Sequence, residues 1–519
     1  MNIRGIVNYL LLLTLTLTAL LYPATFVQAR VAPQQQVLLL YDSLAKGTSK
    51  EGNVAELQRL LASYSVRVTL RSLDQYEQGM LADYPRVITV INAADLPITN
   101  KSYLEDLNLY RGQYLHIGYN PPESLQKGLQ LTTDVIYGGS AHLQIGQFSG
   151  TRLKVQDIPY IAASEATHSY GKLSFQDQGL QVPYAVSEGN YTYAPYFEQE
   201  NVSVLAMAYV LKDWLHITAG PQMYLAIKEI YPFSDLSLLG EMAERLYQVG
   251  IPFIASVRPV FSNTDYPAML RYLVAMKRIQ SNNGSILVHA PVSASSTATS
   301  GGNDTLKAKM NGFINLLVDN GIAPLGISAE SHWTYDKEYS GAGMGFFDSA
   351  LLLPDEQIDY TEQTDTSKTF VSSVYSMPFE FLQGLEFDGK VMPQFPMNTA
   401  IVIDFPKDEA GLEEVLQGLE QYWITFADYK KGVHEVVTDV NTITSEEGII
   451  SINGQQLNLD YIPETVDSDY QYAEEQKKSF TKLFNIQNQF FIVVIMISLL
   501  LFGGLFIIGY RLYRQKYLK

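Results

Sequence analysis

At 519 residues the chain is too long for one ordinary domain, and two or three are expected. It has a formal charge of −18 and no cysteine, which excludes disulfides and thiolate metal sites and argues against nucleic acid as a partner. The same acidity disfavours strongly anionic polymers and suits neutral or cationic ones.

Residues 1–29 read as a secretory signal: Arg4, an apolar core from Ile6 to Leu21, and a small-x-small site at Val27-Gln28-Ala29. The apolar core is long for a signal, so an uncleaved anchor is the alternative. An exported chain without cysteine fits a bacterium, Gram-positive by association.

Residues 30–131 read as a flavodoxin-like α/β module. Strands are expected at Val37–Tyr41, Val66–Leu70, Arg86–Ile91 and Tyr114–Ile117, with helices at Asn53–Tyr64 and Ser102–Arg111. Asp42-Ser43 at the first strand end is a possible ligand loop, ranked below a structural role because no glycine-rich phosphate loop accompanies it. In 132–200 short runs with alternating aromatics, broken by Gly, Ser and Asn, predict a small antiparallel β unit. His142 and His168 there have no carboxylate at ligand spacing.

Residues 201–461 return to alternating strands and helices. Met223–Ile227, Ile251–Val257, Ser285–Val288, Leu325–Ser328 and Ala400–Ile403 are the expected strands. Helices are expected at Leu236–Val249 (capped by Ser234 or Asp235), Pro267–Asn282, Leu306–Asn320 and Gly411–Tyr422. Residues 293–304 form a low-complexity loop. Polar residues at successive strand ends suggest a closed or nearly closed (β/α) barrel with its site at those ends.

The candidates are Lys228 and Glu229, Arg258, His289, Glu330 and His332, and Asp404, with Trp333 as a ring for sugar stacking. Glu229 and His289 with His332 could hold a divalent metal, although no spacing is a short ligand motif. Hydrogen-bonded strand ends and salt bridges are the competing reading.

Residues 462–489 read as a charged stalk. Phe490–Tyr510 contains no charged residue and is long enough to span a bilayer. Residues 511–519 bring Arg511, Arg514, Lys516 and Lys519, which mark the cytoplasmic side. The expected protein is a single-pass cell-membrane protein with a large extracellular N-terminal part.

Two segments then carry a resemblance: Tyr224-Leu-Ala-Ile-Lys-Glu-Ile-Tyr-Pro-Phe-Ser-Asp235 and Gly250-Ile-Pro-Phe-Ile-Ala-Ser-Val-Arg-Pro-Val260. With Ile286-Leu-Val-His-Ala-Pro291 and Thr399-Ala-Ile-Val-Ile-Asp-Phe-Pro406, they resemble a membrane-anchored branch of the polysaccharide deacetylase superfamily, relatives of carbohydrate esterase family 4. The resemblance implies a (β/α)7-type barrel and metal-assisted removal of N- or O-acetyl groups from sugars, with a divalent ion such as zinc. It also implies a departure from that chemistry. Where the family has two adjacent acids, the chain has Lys228 and Glu229. Where it has a second histidine, there is Ser293, and where it has a histidine before proline, there is Phe405. Glu229 and His289 alone make an incomplete metal set. The expectation is a catalytically degenerate protein that binds extracellular polysaccharide or scaffolds a membrane polysaccharide synthase. An active deacetylase with relocated ligands, His332 or Asp404 among them, is the alternative.

Overall fold

The computed structural model describes residues 35–460, apart from 96–97, 151–152, 155, 292–302 and 388, together with isolated helical positions between 502 and 514. The expected leader at 1–29, the stalk at 462–489, and most of the span at 490–510 and of the tail at 511–519 lie outside the described residues. So do Ser293 and most of its loop. Among the described residues no helix is long and apolar enough to cross a membrane.

Seven parallel strands close into a barrel. In order they are Met223–Ile230, Phe253–Val257, Gly284–His289, Pro324–Glu330, Ser349–Leu353, Ser372–Pro378 and Thr399–Asp404. The last strand closes the ring by pairing with the first, Met223 opposite Thr399 through Lys228 opposite Asp404. The runs are apolar because each strand is covered on both faces. Helices Leu236–Gln248, Pro267–Ser281, Asn303–Asp319 and Glu409–Tyr422 follow the first, second, third and seventh strands. Asp235 caps the first of these, its Oδ1 accepting from the amides of Ser237 and Leu238 at 3.0 Å each, worth about 1 kcal/mol.

The alternation then fails. The fourth strand leads into short turns of helix at Ser331–Tyr335 and Tyr339–Gly343, and no α-helix joins the fifth strand to the sixth. The covering there comes from the front of the chain: helix Asn53–Ser63 packs on the fifth and sixth barrel strands. Its Arg59 is buried, pairing with Glu56 at 2.9 Å and donating to Ser376 O at 2.7 Å and Tyr375 Oη at 2.7 Å.

That helix belongs to a parallel sheet whose strand order is Arg67–Ser72, Gln36–Tyr41, Arg86–Ile91, Gln113–Gly118. The sheet continues through Tyr191–Ala194, Leu180–Glu188, His168–Phe175 and Ser140–Ile145 to Phe148–Gly150, so strands from 132–200 extend the front sheet. Its last edge is supplied from the barrel region: Leu385–Phe387, between the sixth and seventh barrel strands, pairs antiparallel with Phe148–Gly150. One apolar core runs from Val37 and Leu39 through helix Val202–Trp214 to Met377 and Ile401. A four-stranded antiparallel meander over 434–456 packs beside the fourth barrel strand.

Candidate functional site

The carboxyl ends of the barrel strands bring most of the expected residues to one mouth, where their partners divide them into two groups. The first group is built on the first strand. Pairing slips between Ile227 and Ile230, and Glu229 inside this bulge has φ 62°, a left-handed conformation that costs a non-glycine residue roughly 1–2 kcal/mol. The bulge aims Glu229 at the second strand, where Arg258 Nη2 donates to its Oε1 at 2.7 Å, and Tyr231 Oη donates to Oε2. Burial alone would raise the Glu229 pKa. The Tyr231 and Arg258 donors outweigh it and hold the carboxyl below its ordinary value. Arg258 also donates to Ala290 O at 2.8 Å.

Lys228 points the other way, 3.0 Å from Asp404 and 3.8 Å from Glu356. Burial opposes its charge, but Asp404 leads a group of acids that keeps its pKa above the ordinary lysine value. Asp404 is largely exposed and serves as the counter-ion of Lys228. His289 is buried, its Nδ1 3.0 Å from Ser256 Oγ, and Ser256 in turn hydrogen-bonds Ser328. Burial, assisted by Arg258, lowers the His289 pKa to about 3, so the imidazole is neutral.

This geometry tests the metal site that the resemblance implies, and the residues do not fit it. Glu229 spends its carboxylate on a guanidinium and a phenol, and the charges of Arg258 and, from farther off, Lys228 both act on His289 and oppose a further cation beside it. In this structure Glu229 and His289 are members of an internal ion-pair and hydrogen-bond network.

The second group lies at the ends of the fourth and fifth strands. His332 Nδ1 is 3.1 Å from Asp355 Oδ1 and 3.3 Å from Glu330 Oε2, and Asp355 Oδ1 also accepts the His332 amide at 2.7 Å. One donor atom from each of the three lies within 4.8 Å of the other two, the one such group among the described residues. Burial raises the Glu330 pKa to about 7, with His332 opposing and Asp355 and Glu356 adding to the rise. Sequence reasoning found Glu330 and His332 and missed Asp355. The signal was present in Leu351-Leu-Leu-Pro-Asp-Glu356, an apolar run ending in two acids.

Trp333 is buried at this end of the barrel. It is 3% exposed and stacked on Tyr339 with centroids 4.5 Å apart, leaving no open face for a sugar. An exposed aromatic in the loop after the first barrel strand is Phe233, 82% exposed and stacked on Tyr231 with centroids 4.8 Å apart. Asp42, in the front sheet, has its carboxylate filled by the amides of Ser43, Asn92 and Ala93 and ties two strand ends together. A cavity of about 510 Å³ lies elsewhere, lined by Lys154, Tyr196, Glu198, Asn201, Glu380 and Phe381 among others, and takes in none of the strand-end candidates.

No protein-family profile matches the chain, and no curated protein matches it in sequence. Among solved structures, the carbohydrate deacetylase Agd3 is similar at TM-score 0.32 and 8% identity, over 81% of this chain and 91% of that one. The Bc1960 peptidoglycan N-acetylglucosamine deacetylase is similar at TM-score 0.23 and 11% identity, over 40% of this chain and 85% of that one. Likeness this slight carries no chemistry across, and the site stands on its own residues.

Proposed function

We propose that the chain is a polysaccharide deacetylase-like protein, membrane-tethered with its folded part outside the cell. On this reading it binds an extracellular polysaccharide, or scaffolds its synthase, without hydrolysing acetyl groups at the position its family uses. The observation that carries the reading is the pairing of Glu229 with Arg258 and of Lys228 with Asp404. A general base must be free to take a proton, and a metal ligand must be free to coordinate. Here both positions are closed by ion pairs. Phe233 over Tyr231, beside Arg258, offers an apolar face with polar neighbours, a surface suited to a sugar ring.

The test uses the full chain with N-acetylated and O-acetylated oligosaccharides in the presence of zinc or manganese. Acetate release should not exceed the protein-free control, while affinity electrophoresis in an acetylated neutral polysaccharide should retard the protein. Acetate release that disappears in His289→Ala would overturn the proposal. The second reading, a hydrolase with relocated ligands, is favoured by the Glu330, His332 and Asp355 group. It requires acetate release that persists in His289→Ala and disappears in His332→Gln.

A further inference from the structure

We propose that Glu330, His332 and Asp355 form a binding site for one divalent transition-metal ion, of the zinc or manganese type, apart from the position the family uses. The donor spacing carries this. A tetrahedral ion with bonds of about 2.0–2.1 Å holds its ligand atoms about 3.3 Å apart. Two of the three donor separations are 3.1 and 3.3 Å, and the third lies within 4.8 Å.

The charge balance points the same way. His332 and Asp355 side chains are 4% and 10% exposed, and Glu330 is 30% exposed. Neither carboxylate has a lysine or arginine in ion-pair contact among the described residues. Arg59 and Arg258 lie within electrostatic range, but they are engaged by Glu56 and Glu229. The neighbouring acids Glu229 and Asp404 each have a cation, whereas this group holds two acids with an imidazole between them and, among the described residues, no lysine or arginine paired to either. One Nδ1 proton cannot make two well-aligned hydrogen bonds, whereas a cation answers both carboxylates at once.

The imidazole is also held in place. Tyr339 and Tyr360 meet its ring edge to face, at 6.3 and 5.7 Å, and the Asp355 bond to the His332 amide locks the turn. These contacts fix the orientation of the ring, as surrounding groups do for a metal-binding histidine. An imidazole with two carboxylates selects zinc or manganese over calcium or magnesium, which prefer oxygen alone. Three protein ligands leave at least one position for water, a sugar hydroxyl or an acyl oxygen, and Glu330 is the side open to solvent.

The test is calorimetric titration of the full chain, stripped with EDTA, with zinc chloride and manganese chloride, alongside its thermal melting. The expected result is one equivalent bound at micromolar affinity or tighter, with a raised Tm. Asp355→Asn and His332→Gln should each weaken binding at least 100-fold, whereas Glu229→Gln and His289→Asn should leave it unchanged. Should Asp355→Asn or His332→Gln lose its circular-dichroism spectrum, Glu330→Gln at the exposed end is read instead and must weaken binding at least 10-fold. No binding at millimolar zinc, or binding that these changes leave intact, overturns the site. That outcome would leave the polysaccharide reading standing, provided that polymer retardation is unchanged when the electrophoresis is repeated with EDTA in place of the metal. Binding lost in Glu229→Gln and His289→Asn would overturn both.

Discussion

Glu229 and Arg258 show what a charged residue at a strand end is worth when its partner is fixed. Changing Arg258→Met leaves Glu229 partly buried without its cation and should cost about 2 kcal/mol, less than a fully buried pair because Glu229 keeps some solvent. Glu229→Gln in the same background should restore at least half of that, read from urea midpoints; a double variant no better than the single would deny the coupling. Phe233→Ala touches nothing in the core and should leave stability unchanged while weakening polysaccharide retardation several-fold, about 1 kcal/mol. Buried histidines set the acid limit. Burial lowers His289 to about 3 and His116 to about 4, against 6.5 in the unfolded chain. The unfolded chain therefore takes up protons between those values that the fold refuses. Their contribution is complete above pH 6.5 and is lost as pH falls toward about 4 for His116 and about 3 for His289. Urea midpoints should drop across that window, and His289→Asn should flatten the drop; an unaltered slope would clear His289 of the effect. At this scale the sequence named the charged strand ends, because charge after an apolar run is visible in one dimension. It could not say that Lys228 would turn to Asp404 and Glu229 to Arg258, since both choices depend on a bulge and on barrel closure.

Among elements, helix Asn53–Ser63 does two jobs, covering its own sheet and standing where the barrel lacks a helix. Arg59 fastens it through Glu56, Tyr375 and Ser376. Arg59→Met should cost about 3 kcal/mol, because it strands a buried Glu56. A loss below about 1 kcal/mol in chemical denaturation would mean that packing alone holds the helix. Its own periodicity made the helix legible; its second surface was not, because amphipathic spacing says nothing about which sheet lies beyond. The fifth and sixth barrel strands escaped notice for a related reason. No helix separates them, and Ser372-Ser-Val-Tyr-Ser-Met-Pro378 mixes polar residues into the run, so the alternation that announced the other strands was missing. Helix Val202–Trp214 was hidden by being apolar on nearly every face, which erases the periodic signal.

At the largest scale, the front sheet and the barrel are tied together by a shared core and a shared sheet. Val37 and Leu39 of the front sheet belong to the same apolar cluster as Met377 and Ile401 of the barrel. Scanning calorimetry of the full chain should accordingly show the front sheet and barrel melting in a single transition; two resolved transitions would refute a common cooperative unit. Barrel class was legible from repeated strand-helix units. The continuity of the front sheet with the strands of 132–200 was not, because each hairpin reads alike whether it stands alone or extends a neighbour. The strand Leu385–Phe387 adds a consequence in time. Phe148–Gly150 presents a bare sheet edge until that strand arrives, more than two hundred residues later in synthesis. At about 5–20 residues per second the delay is on the order of tens of seconds. Throughout it, a nascent chain carries an open template for β-pairing with its neighbours. Chains held with Leu385–Phe387 still enclosed in the channel they emerge from should therefore need a holding chaperone that chains with Asp404 fully emerged do not, which makes this short strand a point of quality control during biogenesis.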